Sequence, residues 1–576
     1  MFDLSIDKLR SEVRYARTRR EHQLRVFEEQ VAAYHTPFYR GEGMVGDYNP
    51  ENHAYQLITE TVPQMVYKNP RVRTDTAKLG LGKSVAIVYK HLLNRRIKEL
   101  DLESLLIEHA HDVLFQFTVG MVVPRRDYRY DEEAWNPCIE RVPQKCFLID
   151  PTAKRRSEAR WMGHEWYIDK NDLIRLAQDE EGWNVDAVRG LATDGESTEG
   201  PKREEVRCVD MWFRDGETDV DADADEGFHG ARVVMGWTEE SAGEILYGPE
   251  PAFCNVNGPY RICDISYVPD SPFGLSPLVA TEGQSRELNK LTRRAIAMSM
   301  RYARLLLVED GDDAFAQRLK DAENDLVLAV RSLEGNKVQS VERGGITEQI
   351  MAQIQGAKER LDRNSSMSDA RRGLAQKNAT ATAESIANAA SDIRTGFIKS
   401  RFEIFVRGLL DDIGYYYWYD KRTRSFLGGS FMADIGFPED QLEMTDFPGF
   451  EYRGGDAFFK PYKGIKYEDI EIGIEPFSMG YMSPDMMQKR AIDGLTIGLQ
   501  IAQAAATLPG PDYAGLANIV GDALNMPDFA KHLGLSSIRA NTALQQQLAP
   551  QQPQQGTGML GNESGGELAA AVRGGA

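Results

Sequence analysis

Two stretches of this chain carry apolar residues at alternating steps of three and four, and a compact insert separates them. Leu288, Leu291, Ala295, Met298, Tyr302 and Leu305 form the first series, and Ile346, Ile350, Ile354, Ala357 and Leu361 the second. On a helix this rhythm gathers apolar side chains into one narrow stripe. One partner helix covers such a stripe, so two long helices standing side by side are expected, with most of their remaining surface polar. Arg286, Lys290, Arg293, Arg294, Arg301 and Arg304 lie mostly off the first stripe. The insert, residues 305–345, holds the apolar run DLVLAV and reads as a small mixed α/β unit.

Around this pair the texture changes several times. A chain of 576 residues exceeds one compact core, and about two to four domains are expected. The first forty residues read as helix, with Arg10, Arg14, Arg17 and Arg20 on a face that is solvated or ion-paired. A Gly-rich loop follows, then a helix over 51–68 stopped by Asn69-Pro70 and another over 75–119. Between 121 and about 270, runs such as CFLID, EWYI, VRCVDMWF and ARVVMGW alternate with Pro, Gly and Asp clusters, the pattern of an antiparallel β region. Beyond the second seam helix, residues 365–380 read as a polar loop. A very long helix runs over 382–419, with Ile386, Ile393, Phe397 and Ile404 in register. Strand-like segments return over 421–480, and helices follow to about 545. The Gln- and Gly-rich end, 546–576, lacks the apolar surface to fold alone. The fold class is α+β.

The net charge of −20 argues against a protein whose main task is gripping nucleic acid, which requires clustered Lys and Arg. It is compatible with a surface along which DNA slides without sticking and equally with plain solubility, and charge alone does not choose between them. No run of about eighteen apolar residues exists, so no membrane partner is expected. The N-terminal segment has no signal-peptide core. Cys138, Cys146, Cys208, Cys254 and Cys263 form no Cys-x-x-Cys pair and read as free thiols in a reducing cytoplasm.

Three motifs invite chemistry. Ala77 to Ser84 fits a loosened phosphate loop in which Lys83 would reach phosphoryl groups, and Leu305 to Asp310 mimics a magnesium-binding strand. The residues before the loop, NPRVRTDT, are too polar for the buried strand such a loop follows, and Leu305 belongs to a helical seam. The acidic run from Asp219 to Glu226 fails the calcium-loop pattern in both registers. His109 and His111 fall on different faces of a helix and read as structural. No catalytic residue, cofactor site or metal site is assigned, and the chain is expected not to be an enzyme.

The order of parts resembles the portal proteins of tailed bacteriophages. Phe273-Gly274-Leu275-Ser276-Pro277-Leu278, then Gln284 and Leu288-Asn289, is similar to the start of that family's first stem helix. Asn378 to Glu384 resembles its Thr-Ala-Thr-Glu start of the long helix, although Ala383 separates Thr382 from Glu384. Thr59-Glu60-Thr61-Val62-Pro63 through Asn69-Pro70 looks like its early helix. These motifs cover roughly residues 50–420, and the later parts rest on position alone.

The resemblance implies a wing over 1–275, a first stem helix over 276–304 and a clip over 305–345. A second stem helix over 346–364, a tunnel loop over 365–380, a long wing helix with returning strands over 381–480 and a helical crown over 481–545 would follow. It also implies a ring, usually of about twelve copies, at one capsid vertex, assembled in the host cytoplasm and resident in the virion. Double-stranded DNA would pass through it without sequence specificity during packaging and ejection. The clip would dock the terminase large subunit and afterwards head-completion, adaptor and tail proteins, and the major capsid and scaffold proteins would surround the ring. Arg371, Arg372 and Lys377, on the loop that would enter the channel, are the expected phosphate contacts. The stem's basic residues are expected to pair with acidic neighbours across subunits. The alternatives are a nucleotide-hydrolysing packaging motor, resting on Lys83-Ser84, and another ring-forming head–tail adaptor.

Overall fold

The computed structural model describes residues 4–39, 51–78, 81–126, 135–180, 182–191, 205–215, 227–237, 244–300, 303–309, 326–330, 338–343, 347–365, 381–423, 426–427, 449–453, 456–462, 464–475 and 478–479, with isolated positions between 492 and 500. The chain forms two compact units, Met1–Tyr481 and Met482–Ala576. In the second, Ile492, Gly494, Thr496, Ile497, Gly498 and Gln500 are helical. The rest of the segment expected as a crown, 481–545, and the Gln-rich end lie outside the described residues.

The first unit opens with helices α1 (Ile6–Tyr39) and α2 (His53–Met65). The Asn52 side chain accepts from the Tyr55 amide at 3.0 Å and caps α2. Strand β1 (Val72–Thr76) then precedes α3 (Leu81–Glu99) and α4 (Leu102–Phe115). The single helix expected over 75–119 is therefore three elements and the start of a fourth. Val72 is the one fully buried side chain of β1, enough to pin a strand whose backbone pairs elsewhere. Asp101, in the left-handed region at φ 47°, separates α3 from α4, and Asp is among the few residues that tolerate it.

Next come β2 (Phe117–Arg126), β3 (Trp135–Val142), β4 (Phe147–Ile149) and β5 (Trp161–Asp169). Two short helices, α5 (Lys170–Asp179) and α6 (Val185–Gly190), interrupt the strands. Neither is expected from sequence, because their Asp169 and Asn184 caps sit in a polar stretch that also resembles a loop. Strands β6 (Glu205–Phe213), β7 (Phe228–Gly236), β8 (Ile245–Phe253) and β9 (Tyr260–Asp264) complete the region. Strands β4 to β8 form one antiparallel sheet in chain order, and β3, β2 and β9 form a second. This is the antiparallel β region expected.

The remainder comprises α7 (Pro277–Met300), β10 (Ala303–Glu309), β11 (Leu326–Val330), β12 (Val338–Arg343), α8 (Glu348–Ser365) and α9 (Ala381–Tyr419). Strands β13 (Phe450–Arg453), β14 (Asp456–Phe459) and β15 (Ile470–Ile474) follow. β15 returns to pair antiparallel with β1, Val72 opposite Ile474.

The largest core gathers α2, α3 and α4 around the C-terminal half of α9, whose Phe402, Val406, Leu409 and Leu410 are fully enclosed or nearly so. Phe397 and Ile404, expected on the inward register of this helix, are instead 57% and 61% exposed. The core takes the neighbouring stripe because α9 also supplies Phe405 and Ile413 there. At Gly414 any added carbon would strike the Tyr89 hydroxyl, so only glycine lets α9 lie this close to α3.

A second core sits under α1, where Leu9, Val13 and Ala16 cover Trp161, Met211 and Phe213 of the five-stranded sheet. Two arginines of α1 are held at the sheet, Arg17 by a carboxylate and Arg20 by a carbonyl, while Arg14 is exposed. Arg17 reaches Glu165 at 2.5 Å and lies 4.0 Å over the Trp237 ring. Arg20 donates to the Gln144 carbonyl at 2.6 Å, and burial pulls its guanidinium down to about 10.

Candidate functional site

Helices α7 and α8 form a hairpin tipped by the three-stranded sheet β11-β10-β12. β10 continues from α7 and pairs antiparallel with β12, which leads into α8, so the two helices run antiparallel. Of the seam residues, Leu288, Ala357 and Leu361 are buried together, and Leu291 and Ile354 pack against them. Ala295 is buried, while Met298 and Ile350 are half-buried. Tyr302 and Ile346 lie outside the described residues. The first helix ends at Met300, so Leu305, read from sequence as the last residue of a helical seam, stands in β10 opposite Leu326 and Val341. The physical reason is the apolar run Leu305 to Val308, which completes a sheet better than it extends a stripe.

The start of α7 explains its sequence motif residue by residue. Phe273 stacks on Phe117 with centroids 4.8 Å apart. Gly274 lies against the Ser266 carbonyl and the Asp264 side chain, leaving no room for a Cβ. The Ser276 hydroxyl accepts from the Leu278 amide at 3.1 Å and donates to the Leu114 carbonyl at 2.8 Å. It thus caps the helix and anchors it to α4, and Pro277 occupies the first helical position, where no amide is needed.

Glu51 then ties both helices to the body. Its amide donates to Asn289 of α7 at 3.1 Å and its carboxylate holds Lys358 of α8 at 2.7 Å. Arg286 reaches Glu29 of α1 at 3.3 Å, and Arg360 pairs with Glu287 across the hairpin at 3.0 Å. These contacts are not legible in the sequence, since Glu51 lies more than two hundred positions from either partner.

Beyond its base the hairpin is open. Glu348, Gln349, Met351, Ala352 and Gln353 of α8 are all exposed, Met351 by 53%. Lys290 and Arg294 are exposed on α7. Arg371, Arg372 and Lys377, the expected phosphate contacts, lie outside the described residues, as does the acidic run from Asp219 to Glu226.

The phosphate-loop segment keeps half of its expected context. A strand, β1, does precede α3, although NPRVRTDT reads as too polar for one. Yet β1 is half of a two-stranded antiparallel sheet, and Lys83 and Ser84 are exposed on α3. Leu305 to Glu309 is a strand too, but in the separate hairpin-tip sheet. The two halves of the motif therefore belong to different sheets.

His109 is fully buried, with Nδ1 2.6 Å from the Thr118 hydroxyl, and burial holds its pKa down to about 3. His111 bonds instead to the Ile107 carbonyl at 2.8 Å. All five cysteines are free. Among the described residues no three His, Cys, Asp or Glu side chains are grouped to hold a metal ion, and no helix is long and apolar enough to cross a membrane.

A cleft of about 2690 Å³ lies between the five-stranded sheet and the end of α9. Its floor carries the Arg232–Asp210 pair at 2.7 Å and a His164–Tyr260 hydrogen bond at 2.8 Å. It is several times larger than the ~300–1,000 Å³ of a small-molecule site. No protein-family model matches the chain, and no curated protein matches it.

Proposed function

We propose that this chain is the subunit of a portal-type ring, a channel at one vertex of a viral capsid for packaging and ejecting double-stranded DNA. The observation that supports this best is the α7–α8 hairpin: two helices joined along one thin seam, tipped by a small sheet and otherwise exposed. A narrow-seamed helix pair is marginal alone, because tertiary cover supplies most helical stability. Identical copies standing side by side would provide that cover and leave a central passage.

In this reading the tip sheet docks the terminase large subunit and later the head-completion or adaptor and tail proteins. The body meets the major capsid and scaffold proteins. The segment after α8 supplies Arg371, Arg372 and Lys377 as contacts to passing phosphates, and the acidic chain keeps DNA from adhering elsewhere. The chain itself hydrolyses nothing; the motor it docks does.

Negative-stain microscopy and mass photometry of the purified chain test the reading directly. Rings of about a dozen copies with a central hole are expected. A monodisperse monomer at micromolar concentration, or ATP turnover by the chain alone, would count decisively against it.

A further inference from the structure

The hairpin presents opposite charge on its two outer sides. On α7, Arg286, Lys290 and Arg294 follow at steps of four on the side turned away from α8, and all three are exposed. On α8, Glu348, Ala352, Gln355 and Glu359 follow at steps of four, three and four on the side turned away from α7, and all four are exposed. Arg363, nearer the base of α8, is the exception on that face. Several charges of the hairpin are already committed within the chain: Arg360 to Glu287, Lys358 to Glu51, and Arg286 itself in part to Glu282 and Glu29. Lys290, Arg294 and Glu348 have no ion-pair partner among the described residues.

We infer that the basic face of α7 is built to dock on the acidic face of α8 in a neighbouring copy of this chain, an inference that rests on the ring reading above. Two different, complementary faces on opposite sides of one element make a head-to-tail contact, which closes into a ring when the rotation between copies allows. A self-complementary patch would instead stop at a dimer.

The Glu287–Arg360 pair sets the heights along the hairpin. At a rise of about 1.5 Å per residue, a copy standing alongside at equal height places Glu359 between Arg286 and Lys290. Gln355 and Ala352 then lie beside Arg294, and their short or neutral side chains let the helices approach closely. Glu348 stands about 7.5 Å nearer the tip than Arg294, within the span of the two long side chains, so Lys290 with Glu359 and Arg294 with Glu348 are assigned to the joint between subunits, not to the DNA path.

A charge-swap series read by mass photometry tests this. Lys290→Glu with Arg294→Glu is expected to shift the population from rings to free subunits at least tenfold, and Glu348→Lys with Glu359→Lys to do the same. All four positions are exposed, so the melting temperature of the free subunit should not move. An equimolar mixture of the two double variants is expected to restore rings by alternating, and the quadruple reversal in one chain to restore them alone. Higher salt should weaken the parent ring, since exposed pairs are screened.

Double variants that form rings as well as the parent overturn the inference while leaving the ring itself standing. Reversals that leave rings intact but change DNA retention place these residues in the channel and also overturn it. So does a quadruple reversal that fails to reassemble. A parent chain without rings sinks the subunit reading first, and this inference with it.

Discussion

The body of the first unit and the α7–α8 hairpin are built on opposite principles. In the body, α9 is wrapped by three helices and by strands that return from far along the chain, and several charges near the core are matched by direct ion pairs. Asp264 holds Arg156 at 2.6 Å and Arg401 at 3.0 Å, and Arg141 grips Asp112 through two bonds of 2.5 and 2.8 Å. In the hairpin, one thin line of apolar residues centred on Leu288, Ala357 and Leu361 holds two helices together. The contrast separates a region covered on all sides from one whose described residues have little cover beyond a single seam.

That comparison is easiest to break in the body. Phe402→Ala should lower unfolding stability by about 3–5 kcal/mol, because a fully enclosed ring leaves a cavity that helices on three sides cannot close. Thermal melting of the free subunit measures it, and a change below about 1 kcal/mol would remove α9 from the centre of the core. Asp264→Ala should cost less, about 1.5–3 kcal/mol, since it removes two charge-assisted bonds while Arg156 keeps the Pro272 and Ile262 carbonyls and Arg401 reaches solvent.

A pH series sharpens the picture of the body further. His109 is held near 3 in the folded chain, below its ordinary 6.5, so the unfolded chain takes up a proton that the folded chain refuses. Its contribution to stability is intact above pH 6.5 and is lost progressively as pH falls toward 3. The loss should reach a few kcal/mol, because each tenfold drop in proton affinity on folding is worth about 1.4 kcal/mol. The stability of the parent relative to His109→Gln, followed by denaturant titration from pH 7.5 to 4, should fall with acid. A flat difference would mean that the imidazole is not sealed from water.

In the hairpin the expected effects on the free subunit are small. Leu361→Ala should hardly move the main melting transition yet lower the yield of rings severalfold, whereas an equal effect on both would make the hairpin part of the body core. Ser276→Ala removes the cap of α7 and its anchor to α4, and should cost about 1 kcal/mol. Hydrogen exchange offers the finest comparison. Amides of α7 and α8 should exchange well before those of α9 in the free subunit and gain protection on assembly.

The two regions also differ in how openly the sequence announces them. Residues 382–419 are readable as one helix because nothing in them interrupts it, and the structure starts that helix at Ala381. The two seams are readable because a stripe of period three-and-four needs no distant partner to be recognised. What escapes reading depends on distant segments. β1 is a strand because β15, some four hundred residues later, pairs with it. The buried stripe of α9 is hidden because Phe402, Phe405 and Leu409 compete with Phe397 and Ile404 on a helix whose apolar residues fall on every side, and only α2 to α4 decide the winner. The hairpin's anchor at Glu51 carries no local signal at all.

Helix α1 bears on mechanics. At about 1.5 Å per residue its 34 residues make a rod roughly 50 Å long. About a third of the way along, Arg17 fastens it to the five-stranded sheet, and about two thirds along Glu29 meets Arg286 at the foot of the hairpin. A stiff helix touching both points passes a pull at one contact along to the other, so a tilt of the hairpin would bear on the seat of α1 against the sheet. Force applied at the tip would thus be felt beneath Trp237, a tryptophan whose fluorescence can report it.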